Sequence, residues 1–110
     1  MKIATWNVNS IRVRLPQVLE WLKQENPDVL CLQETKITDE EFPTAALREA
    51  GYRAVYAGQK TYNGVATLSR APAEDIVSAL PGAAGDQKRL LAATVGGMRV
   101  INVYIPNGEE

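Results

Sequence analysis

The run Val-Leu-Cys-Leu at positions 29–32 narrows the possible folds of this chain more than any other feature. Four successive apolar residues, followed by the polar Gln33, fit a β-strand that is covered on both faces better than one that is half exposed. A strand of this kind needs packed layers above and below its sheet. Elements elsewhere in the protein must therefore supply those two layers.

An amphipathic helix is predicted before this strand. Its apolar residues have the i, i+3, i+4, i+7 spacing of one helix face, and they are Leu15, Val18, Leu19 and Leu22. Pro16 lies near the start of the helix, and Asn-Pro at 26–27 marks its end. The polar pair Asn-Ser at 9–10 is suited to cap its beginning. With a β-favouring segment at 2–7, the chain opens as strand, helix, strand, which is a βαβ-like unit.

Beyond residue 44 the pattern predicts one short helix and then only strands. Segment 44–50 contains helix formers, and Gly51 is suited to end that helix. The β-type runs are 52–57, 64–69, 75–79, 90–95 and 98–105. Gly-Gly at 96–97 predicts a two-residue hairpin turn between the last two strands.

Seven strands and two helices leave such a fold short of one layer. Two helices can cover one face of a sheet, whereas the strand at 29–33 needs cover on both. We therefore expect residues 1–110 to form about half of a two-layer sandwich, the N-terminal half of a single domain. The alternative is a complete small α+β domain with an exposed sheet face.

Composition limits the location and the partners of the protein. A chain of 110 residues has room for one domain. Twelve Lys and Arg against thirteen Asp and Glu give a net charge of −1, so nucleic acid would have to be bound at a local site and not by bulk charge. The single cysteine, Cys31, lies in the apolar run and is interpreted as a buried hydrophobe. No signal peptide or apolar run of about 18 residues is present, so a cytoplasmic, non-membrane protein is expected.

The chain contains no histidine, which excludes several kinds of catalytic site. These residues cannot supply a Ser-His-Asp triad, a Cys-His pair, a His-ligated zinc or a histidine general base. Any chemistry carried out by these residues alone must use carboxylates, amides, Tyr, Lys or a hard metal ion.

Polar clusters follow or precede four of the predicted strands. They are Asn-Val-Asn at 7–9, Gln-Glu-Thr-Lys at 33–36, Tyr-Asn-Gly at 62–64 and Tyr-Ile-Pro-Asn at 104–107. Taken singly, each is most simply a turn or a solvated loop. Glu34 differs because it directly follows the buried strand, which fixes its carboxylate in space. A fixed carboxylate beside amide oxygens is the kind of environment that Mg²⁺ prefers.

Four motifs together resemble exodeoxyribonuclease III, a member of the endonuclease/exonuclease/phosphatase superfamily that also includes the abasic-site (AP) endonucleases. The motifs are KIATWNVNSIR at 2–12, LQETK at 32–36, GQKTYNGVA at 58–66 and NVYIPNG at 102–108. They occur along the whole chain in the order and spacing of that family.

The resemblance implies an α/β fold, namely the four-layer α/β sandwich of DNase I-like proteins, with the active site at one end of two packed sheets. This chain supplies about the first half. The resemblance implies that Asn7 and Glu34 help to bind a catalytic Mg²⁺ or Mn²⁺, with Glu34 the main ligand, and that Tyr104 faces the scissile phosphate. Asn9 stands where some relatives have an acidic residue, which leaves one metal or two open.

The resemblance also implies a DNA-contacting set, which consists of Lys36, Arg89, Tyr62, Asn63 and Asn107. The family's later Asp-x-Asn motif and terminal Asp-His pair, which activate the attacking water and protonate the leaving oxygen, are not among these 110 residues. The fragment alone is therefore expected to be inactive.

The function that the resemblance implies is metal-dependent DNA repair. The intact protein is expected to be a monomeric phosphodiesterase that acts on double-stranded DNA, cutting at abasic sites and removing nucleotides from 3′ ends. One alternative is a superfamily phosphodiesterase acting on RNA, a lipid headgroup or a sugar phosphate. Another is a half-fold binding module without chemistry.

Overall fold

The computed structural model describes residues 1–57, 64–78 and 90–104. The strands in these ranges are β1 (Ile3–Asn7), β2 (Val29–Gln33), β3 (Arg53–Ala57), β4 (Val65–Ser69), β5 (Ala73–Ser78), β6 (Leu90–Val95) and β7 (Met98–Val103). The helices are α1 (Ile11–Glu25) and α2 (Thr44–Glu49), with a single 3₁₀ turn at Asp39–Glu41 between β2 and α2. Neither helix combines the length and apolarity needed to cross a membrane.

Helix α1 has the cap residues that the sequence predicts. The Ser10 hydroxyl accepts a hydrogen bond from the Val13 N–H (3.4 Å), which satisfies a free donor of the first turn. At the other end Asn26 adopts the left-handed conformation and donates its N–H to the Leu22 carbonyl. The helix begins four residues before the apolar series and continues through Pro16.

The first sheet has the strand order β1-β2-β4-β3 and places β2 in its interior. Strands β1 and β2 are parallel and are joined by α1, which confirms the βαβ opening. Strand β4 runs antiparallel to both β2 and β3. All four apolar residues of β2 are buried, as the sequence predicts.

The layer that covers the second face of β2 comes from the same chain, so the expectation that this layer is missing was wrong. The strands form two sheets, and the second has the order β5-β6-β7, antiparallel throughout. The helices pack on one face of the first sheet, and the second sheet packs on the other. Periodicity could not show this division because it does not specify which strands pair.

Local differences from the predicted boundaries are small. Strand β5 begins at Ala73, two residues before the predicted start, and it contains a register irregularity between Glu74 and Val77. Gly96 and Gly97 form the predicted hairpin turn, and both have the positive φ (58° and 81°) that a type I′ turn requires. The last residue of the predicted strand 98–105 lies outside the described part of the chain.

Two apolar regions hold the layers together. On the helix side, side chains of α1 and α2 pack against Leu30, Leu32 and Leu68 of the first sheet. Between the sheets, Val29 and Cys31 of β2 pack against Val95 and Val100. Cys31 is only 6% exposed, which confirms its interpretation as a buried hydrophobe. Burial raises the pKa of its thiol, and a hydrogen bond to Thr67 opposes the change.

The outer face of the second sheet remains apolar and exposed. Ile101 is 59% exposed, and Val77 and Val103 are also exposed. The side chains of Ile101 and Val103 point away from the first sheet, because Val100 and Asn102, which alternate with them on β7, are buried against it. Val77 of β5 lies on the same face, since it is paired with Ala92, which is in turn paired with Ile101.

Candidate metal and phosphate site

The parallel pairing of β1 and β2 brings two of the predicted polar clusters to one edge of the first sheet. Asn7 and Gln33 are register partners at the ends of these strands. Backbone hydrogen bonds continue past the strands, from Ser10 N–H to the Glu34 carbonyl (2.8 Å) and from Ile11 N–H to the Thr35 carbonyl (3.0 Å). The loop that follows β2 is therefore fixed to the start of α1, and Glu34 has a defined position.

These two loops contain much of the strained backbone in the described ranges. Among the described residues, six other than glycine have positive φ, and four of them lie here: Asn9, Ser10, Glu34 and Lys36. Such conformations cost about 1 kcal/mol or more each and persist where the surroundings enforce them. Strain of this kind is typical of functional loops, and here it includes Glu34, one of the two predicted metal ligands.

Glu34 is surrounded by polar partners from both loops. Asn7 Nδ2 donates to Glu34 Oε2 over 3.1 Å. Lys36 Nζ lies 3.7 Å from Glu34 Oε1 and donates to Asn9 Oδ1 over 2.6 Å. The amide of Asn7 is itself oriented, because its Oδ1 accepts the Asn9 N–H over 3.2 Å.

Tyr104 reaches the same carboxylate from the second sheet. It follows β7, is half-buried, and packs against the inter-sheet residues Ala57, Val65 and Leu91. Its hydroxyl is hydrogen-bonded to Glu34. The site therefore lies where the two sheets meet, and each sheet contributes one side of it.

These contacts lower the pKa of Glu34 below its ordinary value. The hydrogen bond from Asn7 is the largest cause, partial burial opposes it, and the Tyr104 hydroxyl and the Lys36 ammonium lower it further. A lowered pKa means that the carboxylate stays ionised at neutral pH and is protonated only in acid. Glu34 is therefore available as an anionic ligand throughout the neutral range.

The donor set fits a hard divalent cation. Glu34 offers a carboxylate that is still 21% exposed. The adjacent Asn7 amide directs its Nδ2 at this carboxylate, and its oxygen, which accepts the Asn9 N–H, is the neutral oxygen at this edge. The described ranges contain no cluster of three Asp, Glu, His or Cys residues. One carboxylate with a neutral oxygen matches the usual coordination of Mg²⁺, which is commonly bound by one or two carboxylates, several waters and substrate phosphates.

Four of the predicted site residues are thus brought together: Asn7, Glu34, Lys36 and Tyr104. The other four, Arg89, Tyr62, Asn63 and Asn107, lie outside the described residues. Sequence reasoning did not identify Asn102, which is buried between the sheets close to this site. Its position within NVYIPNG was the available signal, but an asparagine in a β run indicates no particular partner.

The order of these pKa effects gives a first prediction. In the metal-free protein, Asn7→Ala is expected to raise the pKa of Glu34 more than Tyr104→Phe does, because the Asn7 hydrogen bond contributes the larger lowering. Carbon-detected NMR titration of the Glu34 carboxyl group measures both values. Gln17→Ala, which removes an exposed amide from α1, serves as the control and should leave the titration unchanged. An equal or larger shift in Tyr104→Phe would contradict this order.

Comparison with known proteins places these features in a family. Residues 4–106 match the model of the Endonuclease/Exonuclease/phosphatase family. Over the whole chain, 37% of residues are identical to exodeoxyribonuclease III of Haemophilus influenzae and 34% to an exodeoxyribonuclease of Bacillus subtilis. The chain spans 43% and 44% of the length of these two relatives.

Solved structures agree with this assignment. A 3′ phosphatase from Neisseria, determined with a product DNA hairpin, superposes with a TM-score of 0.96 and 55% identity over 99% of this chain and 43% of its own. An AP endonuclease from Archaeoglobus fulgidus superposes with a TM-score of 0.93 and 47% identity over 96% of this chain and 41% of its own. The described elements thus share the DNase I-like α/β fold, and the chain belongs to the endonuclease/exonuclease/phosphatase family.

Proposed function

We propose that the full-length protein is a metal-dependent DNA-repair phosphodiesterase of the exodeoxyribonuclease III type. The observation that carries this proposal is the ionised Glu34 carboxylate, held by Asn7 on one side and by Tyr104 on the other, at the edge where two sheets meet. The resemblance to exodeoxyribonucleases and AP endonucleases supports the same activity. Residues 1–110 are the N-terminal half of its single catalytic domain.

Glu34 and Asn7 would hold the cofactor, Mg²⁺ or Mn²⁺. When bound, such an ion polarises a phosphoryl oxygen and offsets the negative charge that develops on it. The chain's own residues orient the substrate around that position. Lys36 carries a positive charge within 4 Å of the Glu34 carboxylate, and we assign it to a substrate phosphate. Tyr104 directs a phenolic hydroxyl at the same place, where it can donate a hydrogen bond to a phosphate oxygen.

We propose double-stranded DNA as the partner, with abasic sites or 3′ ends as the reacting positions. The net charge of −1 provides no general attraction for a polyanion, so binding depends on local cations. We assign this role to Lys36 and Arg89, with Tyr62, Asn63 and Asn107 as further DNA contacts. The Neisseria relative is a 3′ phosphatase solved with a DNA hairpin, which supports DNA 3′ ends as substrates. We also propose that the full-length protein is a cytoplasmic monomer.

The test is cleavage by the full-length protein of three labelled DNA duplexes, which carry an abasic site, a 3′ phosphate or an unmodified 3′ end. We expect cleavage that is abolished by EDTA and restored by Mg²⁺ or Mn²⁺. Single-stranded RNA, a phosphoinositide headgroup and a sugar phosphate serve as competing substrates. Preference for one of these three would favour another superfamily phosphodiesterase, and metal-independent or absent hydrolysis of every substrate would reject an enzyme of this class.

The proposed phosphate contact of Arg89 gives a second prediction. Arg89→Ala is expected to weaken DNA binding equally across sequences and to flatten the dependence of log K on log salt by about one unit, since one released counterion is lost per phosphate contact. Fluorescence anisotropy with duplexes of unrelated sequence measures both effects. Arg48→Ala, in an exposed position on α2, is the control and should leave the slope unchanged. An unchanged slope in Arg89→Ala would remove Arg89 from the DNA interface.

A further inference from the structure

Two amide side chains join the two sheets next to the candidate site. Gln33 Nε2 of β2 donates a hydrogen bond to Asn102 Oδ1 of β7 over 2.9 Å, and we call this pair the amide bridge. Asn102 is only 2% exposed. Gln33 immediately precedes Glu34, and Asn102 lies two residues before Tyr104. The amide bridge therefore connects the strands that carry these two residues, close to the point where each leaves its sheet.

Both the oxygen and the nitrogen of the Asn102 amide are hydrogen-bonded. Its Nδ2 donates to the Ala66 carbonyl (2.8 Å) and to the Leu32 carbonyl (3.2 Å), with a longer contact to Thr67 Oγ1 (3.4 Å). Asn102 thus binds β2 and β4 of the first sheet while its own backbone belongs to the second. Gln33 extends the network to the edge strand, because its Nε2 also donates to Thr5 Oγ1 over 2.8 Å.

The amide bridge differs from the contacts around it in being directional. The remaining described contacts between the sheets are made largely by aliphatic side chains and the Cys31 thiol. Apolar burial depends on area and tolerates small sliding of one sheet over the other, whereas hydrogen bonds weaken steeply when distance or angle changes. The amide bridge therefore fixes the offset of the two sheets more sharply than the apolar contacts can.

This offset determines whether Tyr104 reaches Glu34. Tyr104 belongs to the chain of the second sheet and Glu34 to that of the first, yet the hydroxyl and the carboxylate are hydrogen-bonded. A misplacement of about 1 Å in a catalytic group can cost about 100-fold in rate. We propose that Asn102, through the amide bridge, is a positioning residue that aligns Tyr104 with Glu34. This inference rests on the function proposed above for that pair.

Asn102→Leu in the full-length protein is the direct test. Leucine has a similar size and preserves the apolar contact, but it makes none of the hydrogen bonds. We expect kcat on abasic-site DNA to fall about tenfold with KM within about twofold of wild type, because alignment and not binding is lost. Val100→Ala is the matched control: it removes packing from the same face of β7 and leaves the amide bridge intact, so kcat should be unchanged below the melting temperature.

A double-mutant cycle separates positioning from general destabilisation. If Asn102 acts through Tyr104, the rate losses of Asn102→Leu and Tyr104→Phe will not multiply, because the second change removes a group already misaligned. Multiplicative losses, an unchanged kcat in Asn102→Leu, or an equal fall in Val100→Ala would overturn the proposal. If Asn102→Leu does not fold, Gln33→Met replaces it in the cycle, since it breaks the amide bridge and leaves the backbone contacts of Asn102.

A readout that needs no activity distinguishes this proposal from the proposed function. In protein labelled with 3-fluorotyrosine, the Tyr104 resonance is identified as the one missing from Tyr104→Phe. We expect its ¹⁹F shift to move in Asn102→Leu and not in Val100→Ala. If the protein hydrolyses no DNA but the resonance moves as expected, the proposed function fails and the alignment by Asn102 stands. An unmoved resonance in an active enzyme rejects the alignment alone.

Discussion

Glu34→Gln is expected to lower the rate of abasic-site cleavage by the full-length protein about 100-fold or more at limiting Mg²⁺. The substitution preserves the shape of the side chain but removes the negative charge that a hard cation needs. Loss of an outer partner alone typically costs 10- to 100-fold in metal affinity or activity, and loss of the proposed main ligand should cost at least as much. Initial rates across a Mg²⁺ titration measure the effect, with partial recovery expected at high metal concentration.

Two further variants make this result specific. Glu40→Gln removes an equivalent charge from the exposed 3₁₀ turn that follows β2 and should leave the rate unchanged. Asn7→Ala is expected to lower the rate at limiting Mg²⁺ less than Glu34→Gln does, because a neutral oxygen contributes less Coulomb energy to metal binding than a carboxylate. Wild-type rates for Glu34→Gln at limiting Mg²⁺ would show that the metal assignment is wrong.

Local features of the fold could be predicted from the sequence because they depend on neighbouring residues. The helix spacing of α1, its cap at Ser10 and the buried run of β2 all require only a short window of chain. The division of seven strands into two sheets could not be predicted in this way. It depends on which strands pair over long distances, and the short apolar patterns of β4 and β6 are compatible with several pairings.

The candidate site could likewise be predicted from the sequence only in part. Asn7 and Glu34 are brought together by parallel pairing of β1 and β2, which the βαβ pattern anticipates. Tyr104 comes from the other sheet and was associated with Glu34 only through the family resemblance. Asn102 was missed because a buried polar residue is recognised by its partners, and these lie 35 and more residues away in sequence. Positive φ at Glu34 and Lys36 was likewise invisible, since neither residue type favours it.

A polypeptide consisting of residues 1–110 alone is expected to show no detectable cleavage of abasic-site DNA. These residues contain no histidine, and we propose that the groups that activate water and protonate the leaving oxygen lie elsewhere in the full-length protein. Residues that act as a unit lose nearly all of their effect when one member is removed. Glu34, Asn7 and Tyr104 can position a phosphate, but they supply neither of these proton transfers.

The same polypeptide is expected to self-associate. The exposed band of Val77, Ile101 and Val103 on the second sheet is an apolar surface of the kind that promotes association, and β1 presents an edge with no partner strand among the described residues. Sedimentation velocity and ANS fluorescence, with the full-length protein as control, measure this association alongside the cleavage assay. A compact, dye-silent monomer that cleaves abasic DNA would mean that these residues contain a complete active site. In that event the proton transfers would have to come from carboxylates, Tyr104 or Lys36, because these residues include no imidazole.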